Sequence, residues 1–145
     1  MDRNEMMRIL PHRNSMLLLD EVVTEGEEAH GRYEIKGTEW FLDGHFPSYP
    51  IVPGVVLCEI LAQSTCILLG DKAEGKLPVY AGIDKVRFLS PVRPGDVFET
   101  KCRLTKSKEP FYFAIGEGYV DGRLCVRAEY SFALLTEESA CSPKS

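Results

Sequence analysis

Hydrophobic and polar residues alternate along much of the second half of the chain. Alternation places one apolar face on a strand, and it occurs in three segments: 97–104, 111–120 and 124–135. The pair Asp121-Gly122 between the last two segments predicts a tight hairpin turn. Runs rich in aliphatic residues predict three more strands at 16–24, 29–36 and 79–90. The pattern therefore predicts an antiparallel sheet of five or six strands.

One segment is apolar almost all the way round a helix. Residues 54–69 carry hydrophobic side chains over nearly the whole helical circumference, and the main exceptions are Glu59, Gln63, Ser64 and Thr65. A helix of this kind is buried on every side. One such helix among antiparallel strands predicts an α+β fold, in which the sheet wraps around a central helix.

The remaining segments are shorter or irregular. Residues 4–10 predict a short helix with Asn4 as its N-cap. Glycines and prolines in residues 37–53 predict a loop. The length suits one domain over residues 1–135, and the polar residues 136–145 are expected to form a disordered tail.

Composition narrows the possible functions. The net charge of −5 argues against nucleic acid as the partner, because phosphate binding needs a basic surface. Five cysteines without a CxxC pair predict reduced thiols in a cytoplasmic protein. No uninterrupted apolar run reaches the roughly 18 residues that a membrane span requires, so no membrane association is expected.

The candidate chemistry lies in the proline loop and the apolar helix. Glu59 and Gln63 are four residues apart and share one helical stripe. An ionised carboxylate is costly among apolar side chains, so Glu59 is expected to stay protonated and serve as a general acid. His45 is the candidate base, and the free backbone N–H of Gly54 at the helix start, which follows Pro53, could hold an oxyanion.

Each of these residues also has a structural interpretation. A histidine beside a proline loop is more often structural than catalytic, and a lone glutamate on an apolar helix usually pairs with an arginine or faces a partner chain. The combination supplies a base, an acid and an oxyanion donor. Those groups could remove a proton next to a carbonyl and expel a β-hydroxyl, but the residues alone leave both interpretations open.

A family resemblance favours the catalytic interpretation. The segment GHFPSYPIVPGVVLCEILAQS (44–64) resembles the signature of the β-hydroxyacyl-acyl-carrier-protein dehydratases of dissociated fatty acid synthesis. That signature is GHFPxxPxxPG followed by a helix with E-x-x-A-Q. Three further stretches match the family in the same order: 9–22, 80–88 and 91–96.

The resemblance implies a hotdog fold and a homodimer, often assembled as a trimer of dimers. It implies that His45 is the catalytic base, that Glu59 is the acid donated by the opposite chain, and that the Gly54 N–H contacts the thioester carbonyl. Three neighbouring residues are expected to contact the substrate: Gln63, Pro53 and Val55. The substrate would be a (3R)-hydroxyacyl chain on the phosphopantetheine arm of acyl carrier protein, giving a trans-2-enoyl chain and water. No metal or other cofactor is implied.

The sequence departs from the family pattern at several positions. Ser48 replaces a usual glycine, and Leu89 and Ser90 replace residues that are often basic, which weakens the prediction of how the carrier docks. His12 lies in an LPHR motif to which the family gives a structural role, and no role is predicted for His30.

Two other classes of function remain as alternatives. The first is another hotdog thioester enzyme: a dehydratase/isomerase, an enoyl-thioester hydratase or a thioesterase. The isomerising branch usually carries aspartate at the position of Glu59, which disfavours that branch. The reaction product, an intact enoyl thioester or a free acid, would distinguish a dehydratase from a thioesterase. The second alternative is a non-catalytic dimer that binds acyl carriers, and the presence of both His45 and Glu59 argues against it.

Overall fold

A computed structural model of the chain describes residues 1–44 and 48–136, and His45 lies outside the described residues. Its helices and strands are α1 (Arg3–Met6), β1 (Glu21–Glu25), β2 (Glu28–Glu34), α2 (Gly54–Cys66), β3 (Leu77–Phe88), β4 (Val97–Lys108), β5 (Phe111–Val120) and β6 (Arg123–Leu135). Short 3₁₀ helices lie at Asn14–Met16, Trp40–Leu42 and Ile67–Lys72.

The strands form one antiparallel sheet in the order β1-β2-β4-β5-β6-β3. Every neighbouring pair is antiparallel. Strand β3 lies at one end of this order and has β6 as its hydrogen-bonded neighbour. The predicted antiparallel sheet is therefore confirmed, and one of its longest strands occupies an edge.

Helix α2 packs against the sheet as the hydrophobic pattern predicts. It contacts β2, β4, β5 and β6, and nine of its residues are buried: Val56, Leu57, Cys58, Ile60, Leu61, Gln63, Ser64, Thr65 and Cys66. By length and composition alone, the stretch Gly54–Lys72 could cross a membrane, but 61% of its most apolar window is buried inside the protein. Its apolar character is that of a core helix.

A chain of hydrogen bonds ties α2 to the sheet. The backbone N–H of Gly31 donates to Thr100 Oγ1 at 2.8 Å, and Thr100 donates to Ser64 Oγ, also at 2.8 Å. A Cβ added at Gly31 would lie 2.7 Å from Ser64 Oγ, so only glycine permits this close approach. The next residue of α2, Thr65, is likewise hydrogen-bonded to Tyr130 of β6. We call these five buried or hydrogen-bonded residues the closed cluster: Gly31, Ser64, Thr65, Thr100 and Tyr130.

The first helix and the first strand differ from the sequence prediction. Asp2, rather than Asn4, caps α1, because its side chain accepts the N–H of Glu5 and the Glu5 carboxylate accepts the N–H of Asp2. The predicted strand 16–24 is wrong in its first half, since β1 begins at Glu21. The apolar run before β1 is buried without being a strand, and its buried residues are Leu17, Leu18 and Leu19.

The central helix also ends earlier than predicted. Its α-helical part stops at Cys66, and the apolar residues that follow continue as the 3₁₀ helix Ile67–Lys72. Gly70, with φ of 51° and ψ of −124°, breaks the helical geometry there. The hydrophobic pattern marks the buried segment correctly but does not distinguish the two helix types.

The predicted loop 37–53 contains one short 3₁₀ helix, Trp40–Leu42, within its described part. The indole Nε1 of Trp40 donates to the carbonyl of Ser15 at 3.2 Å. This bond joins the loop before α2 to the short 3₁₀ helix Asn14–Met16.

Candidate active site

Glu59 lies in the middle of α2 and has polar neighbours. Its Oε2 atom is 2.9 Å from Gln63 Nε2 and 3.2 Å from His12 Nε2. The Glu59 side chain is 27% exposed. The surroundings are therefore less apolar than the helix pattern predicts, because a residue distant in sequence brings an imidazole nitrogen close to the carboxylate.

Gln63 is held by three contacts within the chain. Its side chain shares one helical stripe with Glu59, as predicted from the spacing of four. The Oε1 atom accepts the N–H of Leu18 at 2.9 Å, and Nε2 also donates to the Met16 carbonyl at 2.8 Å. The residue is only 1% exposed. Its carboxamide thus orients Glu59 against the segment before β1, and the expected contact with substrate stays a prediction.

His12 is the residue of this site that the sequence analysis missed. The LPHR motif indicated a structural role, and no sequence signal places it beside a helix far along the chain. Its side chain is 18% exposed, and among the described residues its Nδ1 atom is buried without a hydrogen-bond partner. The ring therefore contacts Glu59 through Nε2 alone.

A small cavity of about 60 Å³ opens beside the Glu59 carboxylate. It is lined by His12, Glu59, Ala62, Gln63, Cys66, Pro78, Tyr80 and Phe132. Burial, with a contribution from Glu59, raises the pKa of Cys66 to about 12, and burial also raises the pKa of Tyr80. Both groups are neutral at pH 7, so neither supplies a charge that competes with Glu59 or His12.

The start of α2 borders a larger, mostly apolar cavity of about 450 Å³. Its lining residues are Ile51, Val52, Gly54, Val55, Leu57, Phe88, Leu89, Ser90 and Pro91. A Cβ added at Gly54 would lie 2.6 Å from the Phe88 ring, so a larger residue would displace that ring. The N–H groups of Val56 and Leu57 donate to the Pro53 carbonyl, whereas the N–H of the first helical residue has no partner position within a helix.

The structure thus brings some of the predicted residues together and separates others. Glu59 and Gln63 share one cavity, whereas Gly54 and Val55 line another. Gly54 and Glu59 are five residues apart, which turns them about 140° from each other around the helix. Pro53 occupies the N-cap of α2. The placement of His45 falls outside the described residues.

The described residues show no metal centre. Across 1–44 and 48–136, no group of three or more histidine, cysteine, aspartate or glutamate side chains is arranged to hold a metal ion. The described cysteines Cys58, Cys66, Cys102 and Cys125 are free thiols. The site chemistry visible in this part of the chain is that of a carboxyl group, an imidazole and a carboxamide.

Comparison with known proteins places the chain in a family. Residues 10–129 match the model of the family described as FabA-like domain. The chain is 39% identical over 137 residues to the 3-hydroxyacyl-(acyl-carrier-protein) dehydratase FabZ of Staphylococcus haemolyticus, covering 92% of this chain and 94% of that protein. It is also 39% identical over 137 residues to the dehydratase of the same name from Staphylococcus aureus strain JH9, with the same coverage.

Solved structures agree on the fold. The dehydratase heterocomplex ApeI:P from Xenorhabdus doucetiae gives a TM-score of 0.80 at 21% identity and covers 93% of each chain. The PaaI protein of Escherichia coli gives a TM-score of 0.61 at 12% identity, covering 78% of this chain and 81% of its own. The antiparallel sheet around α2 is the predicted hotdog fold. The family model matches residues 10–129, and the chain is 39% identical to two FabZ dehydratases. The chain therefore belongs to the FabA-like family and to its FabZ-type branch.

Proposed function

We propose that this protein removes water from (3R)-3-hydroxyacyl chains on acyl carrier protein, giving trans-2-enoyl chains in fatty acid biosynthesis. The observation that carries this proposal is the 39% identity to 3-hydroxyacyl-(acyl-carrier-protein) dehydratases over 92% of the chain. The Glu59 carboxylate on the central helix, beside a cavity, supplies a group suited to the chemistry.

The proposed mechanism uses two side chains and one backbone group. His45 takes the proton from C2, and the C–H electron pair forms the C2–C3 double bond. Glu59 gives a proton to the 3-hydroxyl group, which leaves C3 as water. The N–H of Gly54, at the positive end of α2, polarises the thioester carbonyl while charge develops on its oxygen. This scheme needs no metal and no cofactor beyond the arm of the carrier.

The two separate cavities support a site shared between two chains. One substrate cannot readily touch both Gly54 and Glu59 of the same helix, because about 140° of rotation separates them. A C₂ dimer resolves this, since the Gly54 cavity of one chain, with His45 nearby in sequence, can face Glu59 of the other. The separation observed in one chain therefore supports a site shared between two chains.

The surface of the chain also supports a dimer. Strand β3 is an edge strand of 12 residues, and a long open edge invites pairing with another strand. Large hydrophobic side chains are exposed on β3 and around the start of α2: Val55, Val79, Ile83, Phe88 and Leu89. Val55 alone is 75% exposed. An apolar surface of this kind typically marks an interface.

We place the protein in the cytoplasm, with acyl carrier protein as its partner. The activity is tested by incubating the purified protein with (3R)-3-hydroxyacyl carriers of several chain lengths and weighing the acyl carrier by mass spectrometry. Loss of one water with the thioester intact is expected. A free acid would indicate a thioesterase, a cis-3-enoyl product would indicate an isomerising dehydratase, and unchanged substrate would contradict the proposal and favour a carrier-binding dimer.

The shared site is tested by mixing two inactive chains. A His45→Ala chain and a Glu59→Gln chain are refolded together, and each variant alone is expected to be nearly inactive. In a mixed dimer, one site has lost both groups and the other is intact. Random pairing makes half the dimers mixed, so activity should recover to about a quarter of the unmutated level. No recovery, with mixed dimers detected by mass, would falsify the shared site.

A further inference from the structure

Residues 14–19 lie between α1 and β1, and side chains from other parts of the chain bind their backbone. The segment is a short 3₁₀ helix followed by three buried leucines. Three side chains bind it: Arg3, Trp40 and Gln63. The bound groups are the N–H of Leu18 and the carbonyls of Asn14, Ser15, Met16, Leu17 and Leu19. Because unpaired backbone groups are costly in the interior, these contacts set the course of the segment.

Arg3 makes three of these contacts. Its Nη1 atom donates to the carbonyls of Leu17 and Leu19, each at 3.0 Å, and its Nη2 atom donates to the Asn14 carbonyl at 3.3 Å. The planar guanidinium carries its donors in a fixed fork, so one side chain sets the relative positions of three carbonyls. Arg3 lies in α1, and it therefore connects the first helix to the segment before β1.

The same segment fixes the Gln63 carboxamide. Its Oε1 atom accepts the N–H of Leu18 at 2.9 Å, and its Nε2 atom donates to the Met16 carbonyl at 2.8 Å. Leu18 lies between the two leucines whose carbonyls Arg3 binds, so the arginine and the glutamine hold the same stretch of backbone. Nε2 of Gln63 also donates to Glu59 Oε2 at 2.9 Å. A continuous path of hydrogen bonds and short backbone thus runs from Arg3 to the Glu59 carboxylate.

We propose that Arg3 is a positioning residue for Glu59, which acts through residues 14–19 and the Gln63 carboxamide. This inference rests on the proposed function, because it takes Glu59 to be part of the reaction. Arg3 is not among the lining residues of the two cavities described above, so its effect on a substrate bound there is indirect. Misplacement of a reacting group by about 1 Å can cost roughly 100-fold in rate.

The alternative is that Arg3 only stabilises the fold. Hydrogen bonds from a charged donor to backbone carbonyls contribute to stability wherever they occur. The two interpretations differ in which part of the molecule changes when Arg3 is removed. A positioning role predicts that residues 14–19 loosen and the closed cluster does not. A purely structural role predicts that the whole chain loses stability while kcat of the folded protein is unchanged.

The effect on catalysis is measured in Arg3→Met, which keeps an unbranched stem and removes every donor. Per folded molecule, kcat should fall by about 10-fold, and KM should change by less than about twofold. Arg32→Met is the matched control. Arg32 Nε donates to Glu21 Oε1 at 2.9 Å, a contact between β1 and β2 that does not involve residues 14–19. Its kcat should equal that of the wild type.

A double-mutant cycle tests the route through Gln63. Gln63→Met removes the carboxamide and should itself lower kcat. If Arg3 acts through Gln63, adding Arg3→Met to this variant should lower kcat by less than about twofold further. Losses that multiply independently would show that Arg3 affects activity by another route, and they would overturn the inference.

Hydrogen exchange measures the segment without relying on activity or on a Gln63 variant. NMR compares the Leu18 amide, which donates to Gln63, with the Gly31 amide, which donates to Thr100. In Arg3→Met, the Leu18 amide should exchange at least about 10-fold faster relative to the Gly31 amide. Equal acceleration of both amides would indicate a global loss of stability.

The outcomes separate this inference from the proposed function. In an active wild-type protein, equal acceleration of the two amides or unchanged kcat in Arg3→Met would overturn this inference alone. Wild-type protein that dehydrates no hydroxyacyl carrier would overturn the proposed function and this inference with it.

Discussion

Helix α2 carries two polar groups of side chains, and they differ in how completely their hydrogen bonds are used. In the closed cluster, Ser64 and Thr65 donate to the carbonyls of Ile60 and Leu61 and are bonded to Thr100 and Tyr130 of the sheet. The second group, formed by His12, Glu59 and Gln63, is partly exposed, borders a cavity and leaves His12 Nδ1 unpaired. The first group is hydrogen-bonded to β4 and β6, whereas the second borders a cavity that residues of β3 and β6 also line.

The contrast separates a structural polar network from one that we propose to be reactive. A buried network in which every group has its partner rigidifies the core, because any change leaves an unpaired atom. A group that exchanges a proton with a substrate needs a polar atom that is not already hydrogen-bonded within the protein, and a cavity beside that atom. Only the His12–Glu59–Gln63 group provides both. In the proposed mechanism, the same helix stabilises the fold through Ser64 and Thr65 and contributes to catalysis through Glu59.

The largest effect that separates the two groups is expected on catalysis. Glu59→Gln keeps the shape and a hydrogen-bond acceptor but cannot donate the acidic proton, so kcat should fall by about 10²- to 10⁴-fold. The melting temperature should hardly change. Glu28→Gln is the matched control, since Glu28 also contacts a histidine, and its kcat should equal that of the wild type. Full activity in Glu59→Gln would remove this residue from the mechanism.

A second comparison concerns two cysteines, one in each region. Cys66 lines the Glu59 cavity, and Cys102 donates to the Leu61 carbonyl near the closed cluster. Burial raises their pKa values to about 12 and about 11, so both stay protonated at pH 8. Because the thiolate is the reactive form, iodoacetamide should label both at least about 100-fold more slowly than the unfolded chain. Mass spectrometry of the native and guanidinium-unfolded protein measures this, and equal rates would show that the interior opens readily.

The smallest effect is expected on stability. Thr100→Val removes the acceptor of the Gly31 N–H and the donor to Ser64, which should cost about 1–3 kcal/mol in the free energy of unfolding. Activity per folded molecule should not change. Thr24→Val, at an exposed position of β1, is the control and should stay within about 0.5 kcal/mol of the wild type. Urea unfolding gives both free energies of unfolding. A loss of kcat in Thr100→Val would contradict the conclusion that the closed cluster contributes to stability and not to catalysis.

The fold was largely predictable because its main signals are local in sequence. Alternation in β4, β5 and β6 reflects the two faces of each strand, and the all-round apolar pattern of α2 reflects its burial. The errors fall where local signals compete. The run Leu17–Leu19 has the composition of a strand yet is buried as irregular chain, because its backbone is held by Gln63 and Arg3 instead of a neighbouring strand.

The site was predictable only in part. The spacing of Glu59 and Gln63 predicts their contact, since it depends on helix geometry alone. The contact of His12 with Glu59 depends on how the start of the chain folds over α2, and no periodicity encodes that path. The close approach of Gly31 to Ser64 was equally unpredictable from the sequence, because the need for glycine in this strand depends on how α2 packs over it.

The hydrogen bond between Trp40 and Ser15 gives the protein a natural optical reporter. Trp40 is the single tryptophan of the chain, and the residue is 52% exposed. Ser15 precedes Met16, whose carbonyl accepts the Gln63 carboxamide, so the indole is connected through one short turn to the group that holds Glu59. We therefore expect the intrinsic fluorescence of the unlabelled protein to change when the segment beside Glu59 moves, and a titration with the proposed acyl carrier would measure this.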